Sequence, residues 1–184
     1  MSAAVNGVRR LNWGCGTMPT PGWINSDIKE DPTVDVVCDI LEGLPLESDS
    51  IDYAVSIHAL PELRLPDLVP ALMELRRVIV PGGVLRLTLP DLDRGIRAYL
   101  DGDRDYFLVP DSDARAPGAK FVTQMLWYGY SKSLFTADFI AELLERAGFR
   151  EITPCRYRQT AGPYPEIVEL DNRPEESLFV EARK

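Results

Sequence analysis

The chain has 184 residues, three cysteines, one histidine and a formal net charge of −9 at pH 7. That length points to one domain, 1–184, with a core that needs no disulfide or metal. Cys15, Cys38 and Cys155 are odd in number and form no CxxC pair, which argues against a disulfide framework or a zinc site and for reduced thiols packed as small apolar groups. The negative field disfavours nucleic acid as a partner. No apolar run approaches the roughly 18 residues of a membrane helix, and the opening MSAAVNGVRR has no apolar signal-type stretch. The expectation is a cytoplasmic protein that works on neither membranes nor nucleic acids.

Short apolar runs broken by turn residues mark strands over 8–12, 23–27, 34–38 and 51–57. A helix is expected near 66–80, with Leu68, Leu72, Leu75 and Ile79 on one face, stopped by Pro81-Gly82-Gly83. Residues 84–89 read as a fifth strand. A further helix over 137–147 has Thr136 as N-cap, Asp138 in its first turn and Gly148 past its end. Strands over 150–157 and 177–182 close the series. The alternation argues for an α/β sheet that is largely parallel. The links between the first three strands are too short for ordinary helical crossovers. They are expected to be loops, leaving one sheet face thinly covered. Residues 90–132 or a second copy of the chain, hence a homodimer, would cover it.

The chemistry-bearing residues begin at Asn12-Trp13-Gly14-Cys15-Gly16. Glycines after a first strand let the backbone approach a ligand, and Asp27, at the end of the second strand, can accept hydrogen bonds from ribose hydroxyls. Glycine turn plus acid is the general logic of nucleotide-type sites, though each also occurs as a plain turn and a solvated carboxylate. Pro19 stands where a dinucleotide fingerprint would have its third glycine, so a ligand without a pyrophosphate fits better than a nicotinamide cofactor.

Three blocks carry a more specific resemblance: LNWGCGTMPTPGWINSDI, CDILEGLPLESDSIDYAVSIHALPEL and LRRVIVPGGVLRLTLPD. Together with LFTADFIAELLERAGF and SLFVEARK they resemble, in order, the class I S-adenosylmethionine-dependent methyltransferases of the type 11 group. The resemblance implies a Rossmann-like, seven-stranded, mostly parallel sheet with an antiparallel last strand; the N-terminal helices are reduced. It implies S-adenosylmethionine as cofactor and methyl transfer to a small or medium-sized polar acceptor. Asn12, Gly14, Cys15 and Gly16 would line the cofactor site, the last three against its methionine portion and ribose. Asp27 would hold the ribose, Asp39 and the backbone of Ile40 would meet the adenine, and Ile57 and His58 would end the fourth strand beside the methyl group.

The sequence departs from the family where many members read HVLEH; here Glu62 replaces the second histidine of that pattern. That departure leaves room for a non-catalytic binding or scaffold protein on the same fold. His58 is a candidate general base, or else a strand cap or cofactor contact. Residues 90–132 are the expected substrate-covering insertion. Its aromatics, Trp127, Tyr128 and Tyr130 among them, either line a pocket or pack on the sheet. Asp91, just past the fifth strand, either orients a polar acceptor or starts a helix. No cluster has metal-ligand spacing.

Overall fold

The computed structural model describes residues 4–5 and 7–184; residues 1–3 and 6 of the opening segment lie outside that description. The strands are β1 (Ala4–Val5), β2 (Val8–Trp13), β3 (Ile24–Asp27), β4 (Val36–Val37), β5 (Ile51–Ile57), β6 (Ile79–Pro90), β7 (Arg150–Cys155) and β8 (Ser177–Arg183). The helices are α1 (Leu65–Val78), α2 (Leu92–Asp101), α3 (Pro117–Leu126) and α4 (Ala137–Arg146). Seven strands lie in the order β4-β3-β2-β5-β6-β8-β7, and β1 folds back on β2. The pairings from β4 through β6 are parallel, whereas β8 runs antiparallel to both β6 and β7. This is the sheet expected from the sequence, with β1 as an addition.

Helix α1 forms because its apolar residues recur every three or four positions. Leu68, Ala71, Leu72, Leu75 and Val78 are all buried against one sheet face, where Ile140, Leu143 and Leu144 of α4 join them. Two boundaries differ from the reading of the sequence. Ile79 leaves the helix and pairs with Ile51, because a buried strand position at that end of the sheet outweighs one more helical turn. Pro81-Gly82-Gly83 lies inside β6 as an irregularity, between the pairs Ile51–Ile79 and Tyr53–Val84. Gly83 must be glycine there, since a Cβ would meet the Asp52 carbonyl oxygen at 2.5 Å.

The first two crossovers are loops, as expected. Side-chain amides close them in place of helices. Asn25 accepts from the Asn12 amide (3.1 Å) and the Thr20 N–H (2.8 Å), and donates to the Thr20 carbonyl (3.1 Å). Its own N–H donates to Asp35 (2.9 Å), which ties the second loop to the same residue.

The second sheet face carries Trp23, Tyr53, Val55 and Val84. Its cover comes from within the chain, but not from residues 90–132: the strap formed by residues 156–171 lies on it, with Ile167 fully buried and the Tyr164 ring tilted against Tyr53 at 4.9 Å between ring centres. The argument for a homodimer from an open face therefore falls away. One buried cation anchors the strap. Arg86 of β6, 0% exposed, donates to both oxygens of Asp171 (2.7 and 2.6 Å), to Glu181 (2.6 Å) and to the carbonyls of Gln159 and Arg156. Asp171 also accepts from the Arg158 N–H at 2.8 Å. A buried ion pair whose hydrogen bonds are all satisfied is costly to break from one side. Arg86→Met leaves two buried carboxylates without their cation, so a loss of about 3–5 kcal/mol is expected in urea unfolding at constant slope. A loss below about 1 kcal/mol would show that the strap is held by its apolar contacts alone.

Candidate functional site

The parallel strands deliver their carboxyl ends to one edge, where open α/β sheets bind ligands. A cavity of about 800 Å³ opens there, inside the range of roughly 300–1,000 Å³ usual for small-molecule sites. Asn12, Gly14, Cys15, Gly16, Asp27, Asp39, Ile40, Ile57 and His58 all border it.

At one end the chain turns sharply after β2. The N–H groups of Gly14 and Cys15 both donate to the Ser26 carbonyl (2.8 and 3.0 Å), which pins the turn to β3. Gly14 has φ +68°, and a Cβ there would meet Ala59 Cβ at 2.2 Å. Gly16 has φ +53° with open space where a Cβ would stand, so its backbone is accessible from the cavity. Asp27 accepts from the Gly16 N–H (2.8 Å) and the Lys29 N–H (2.9 Å). These bonds fix the carboxylate and leave lone pairs for a ligand, since a carboxylate offers about four acceptor positions. Asp39 caps a short 3₁₀ turn over Ile40–Glu42 by accepting from the Leu41 N–H (2.9 Å). Burial and the Asp27 charge push the Cys15 thiol up to about 11, so it is a packing group and not a thiolate nucleophile at neutral pH.

His58 stands at the end of β5 with φ +56°, a strained backbone for a non-glycine residue. Its N–H donates to the Thr88 carbonyl at 2.9 Å. Nδ1 lies 3.2 Å from the Arg173 guanidinium and Nε2 2.8 Å from Ser177 Oγ. A guanidinium only donates, so Nδ1 accepts and Nε2 carries the proton toward Ser177. Burial, with the Arg173 charge beside it, pushes the imidazole pKa down to about 3.

Of the expected substrate residues, Trp127 and Tyr130 border the cavity, while Asp91 and Tyr128 do not. Asp91 is the N-cap of α2: it accepts from the Arg94 N–H (3.0 Å) and pairs with Arg94 Nε (3.2 Å). Tyr128 donates its hydroxyl to Asp113 at 2.7 Å. The sequence reading passed over Gln124, Asn172, Arg173 and Glu176, which also border the cavity. A signal was available for the last three. A final strand antiparallel to β6 must begin where β6 ends, and Ser177 does pair with Pro90. Residues just before β8 therefore arrive at the ligand edge.

A family model described as a methyltransferase domain matches residues 14–87. No curated protein matches the chain in sequence. Among solved structures, a SAM-dependent methyltransferase from Thermotoga maritima, described as a possible histamine N-methyltransferase, superposes with TM-score 0.60 at 18% identity, over 96% of this chain and 82% of its own. A SAM-dependent methyltransferase from Archaeoglobus fulgidus gives 0.57 at 16% identity, over 97% and 87%. One from Mesorhizobium loti gives 0.54 at 20% identity, over 96% and 91%. The domain match and the shared fold bear out the resemblance to class I methyltransferases and support S-adenosylmethionine as the cofactor. Among the described residues, no helix is long and apolar enough to cross a membrane and no acid–His–Cys group could hold a metal ion.

The single histidine makes its titration easy to read. An unfolded histidine binds a proton near pH 6.5 and the folded one only near 3, so stability is drawn down as pH falls between those values. The His58 Hε1 resonance should stay flat from about pH 8 to 5. A midpoint near the ordinary value would show an imidazole open to solvent.

Proposed function

We propose that the chain transfers a methyl group from S-adenosylmethionine to a small or medium-sized polar acceptor. One observation carries this reading: the open Gly14–Gly16 turn, Asp27 and Asp39 border a single cavity at the carboxyl edge of a methyltransferase-fold sheet. The residues fit the group. The exposed backbone at Gly16 suits close approach, Asp27 has acceptor positions left for ribose hydroxyls, and Asp39 with the backbone of Ile40 would meet the adenine. The cofactor supplies an electrophilic methyl on a sulfonium, so the protein's tasks are position, orientation and exclusion of water.

His58 serves this arrangement as a neutral wall. Its one accepting nitrogen is turned to Arg173, which argues against a general-base role, and an uncharged ring beside a cation avoids like-charge repulsion. Residues 90–132, tethered where the Lys132 and Ser133 N–H groups donate to the Pro61 carbonyl (2.7 and 3.1 Å), cover the acceptor through Trp127 and Tyr130. The acceptor is a small molecule, and the expected site of action is the cytoplasm.

Calorimetric titration with S-adenosylmethionine and S-adenosylhomocysteine, followed by label transfer from a radioactive methyl donor to an acceptor panel, tests the reading. One-site binding with turnover supports it. Binding without turnover points to the non-catalytic alternative, and no binding by folded protein removes the cofactor site. Asp27→Ala should weaken S-adenosylhomocysteine about 10- to 100-fold, the worth of hydrogen bonds to a charged acceptor. An unchanged Kd in folded variant protein would reduce Asp27 to a turn acid.

A further inference from the structure

The wall of the cavity formed by the run into β8 and the end of α3 includes residues whose polar groups the protein leaves without partners. Glu176 is buried, its side chain only 8% exposed, yet its carboxylate accepts no hydrogen bond from the described residues. Its nearest cation, Arg173, stands 3.7 Å away and is shared: the same guanidinium donates to His58 Nδ1 and lies 6.0 Å from the Trp127 ring centre. Asn172 Oδ1 is buried and unpaired, while its Nδ2 donates to the Leu170 carbonyl at 3.4 Å, which fixes the orientation of the amide. Gln124, 3% exposed, spends its oxygen on the Leu108 N–H (2.6 Å) and leaves Nε2 with no partner.

A buried polar group without a partner costs about 1–3 kcal/mol, and of these residues Glu176 keeps side-chain surface while bordering the cavity. The arrangement asks for a ligand that donates to a carboxylate. Charge around the cavity selects further: carboxylates outnumber cationic side chains on its lining, in a chain of net charge −9. Over the cavity as a whole, an anionic ligand is disfavoured and a cationic one favoured. The exposed rings of Trp127 and Tyr130 add flat apolar surface.

We propose that this end of the cavity is the acceptor subsite, and that it selects an amine carried on a planar or aromatic group, with Glu176 as the specificity-determining residue. The amine's N–H groups donate to the Glu176 carboxylate, and the planar group lies against Trp127. Burial raises the pKa of the Glu176 carboxyl, a desolvation cost that an ammonium partner offsets. The inference rests on the reading of the opposite end, around Asp27, as the cofactor's.

Three probes of one shape and different charge test it: benzylamine, benzyl alcohol and benzoate, titrated calorimetrically into full-length protein at neutral pH, with and without saturating S-adenosylhomocysteine. Benzylamine should bind about tenfold more tightly than benzoate, with the alcohol between. Glu176→Gln keeps the volume and removes the charge, so it should bring the amine-to-acid ratio to within about threefold, while S-adenosylhomocysteine affinity stays unchanged. Glu176→Asp keeps the charge and should keep the preference. Benzoate binding as well as benzylamine, a ratio unmoved by Glu176→Gln, or no binding of any probe would overturn the proposal. If Glu176→Gln does not fold, the ratios in the native chain and in Glu176→Asp decide. Failure of S-adenosylhomocysteine to bind the native chain defeats the cofactor reading separately, since the probe ratio is also measured without it.

Discussion

The guanidinium of Arg86 is the point on which the second half of the molecule depends. A parallel sheet must be covered on both faces, and this chain has α1 and α4 for one face only. The strap of residues 156–171 supplies the other cover but contains little regular structure, only a 3₁₀ turn at Pro165–Val168. Apolar contact from Tyr164 and Ile167 gives it area without register. Arg86 supplies the register, by binding Asp171 through both oxygens and the carbonyls of Arg156 and Gln159 from inside the sheet. Because Asp171 leads directly into Asn172, Arg173 and Glu176, the same ion pair that seats the cover also places one end of the cavity.

The other end depends on economy of chain. Ten residues separate β2 from β3, and eight separate β3 from β4. Neither link can hold a packed crossover helix, so hydrogen bonds through Asn25 take over the work of holding the loops. Bare loops leave the turn after β2 unshielded, and Gly16 open. In this fold the missing helices and the accessible glycine turn are one feature.

The strands and both main helices were legible because their signals are local: alternation or short apolar runs for β2 and β5, a three-to-four spacing for α1, a cap and a closing glycine for α4. The cofactor end was legible for the same reason, as Gly14, Gly16, Asp27 and Asp39 sit within a short stretch. The strap was not. Its residues show no period, Gly162, Pro163 and Pro165 read as loop, and its anchor is 85 residues away from Asp171 along the chain. The one trace was a charge in the middle of an otherwise uncharged strand, Val84-Leu85-Arg86-Leu87-Thr88-Leu89, which makes sense only with a buried partner. Asp91 and Tyr128 are the converse: their chemistry suits a binding role, but they lie off the cavity lining, and helix capping and a bond to Asp113 engage their polar groups nearby.

The strap's position in the chain bears on biosynthesis. A polypeptide emerges from the ribosome in order, and the sheet's first six strands can assemble before residues 156–184 exist in folded form. Until then Tyr53, Val55 and Val84 face water, and Arg86 has neither carboxylate. The nascent protein thus passes through a stage with a greasy, half-clothed sheet, in which chaperone capture competes with closure, and the strap, translated after the first six strands, is the segment that ends that exposure.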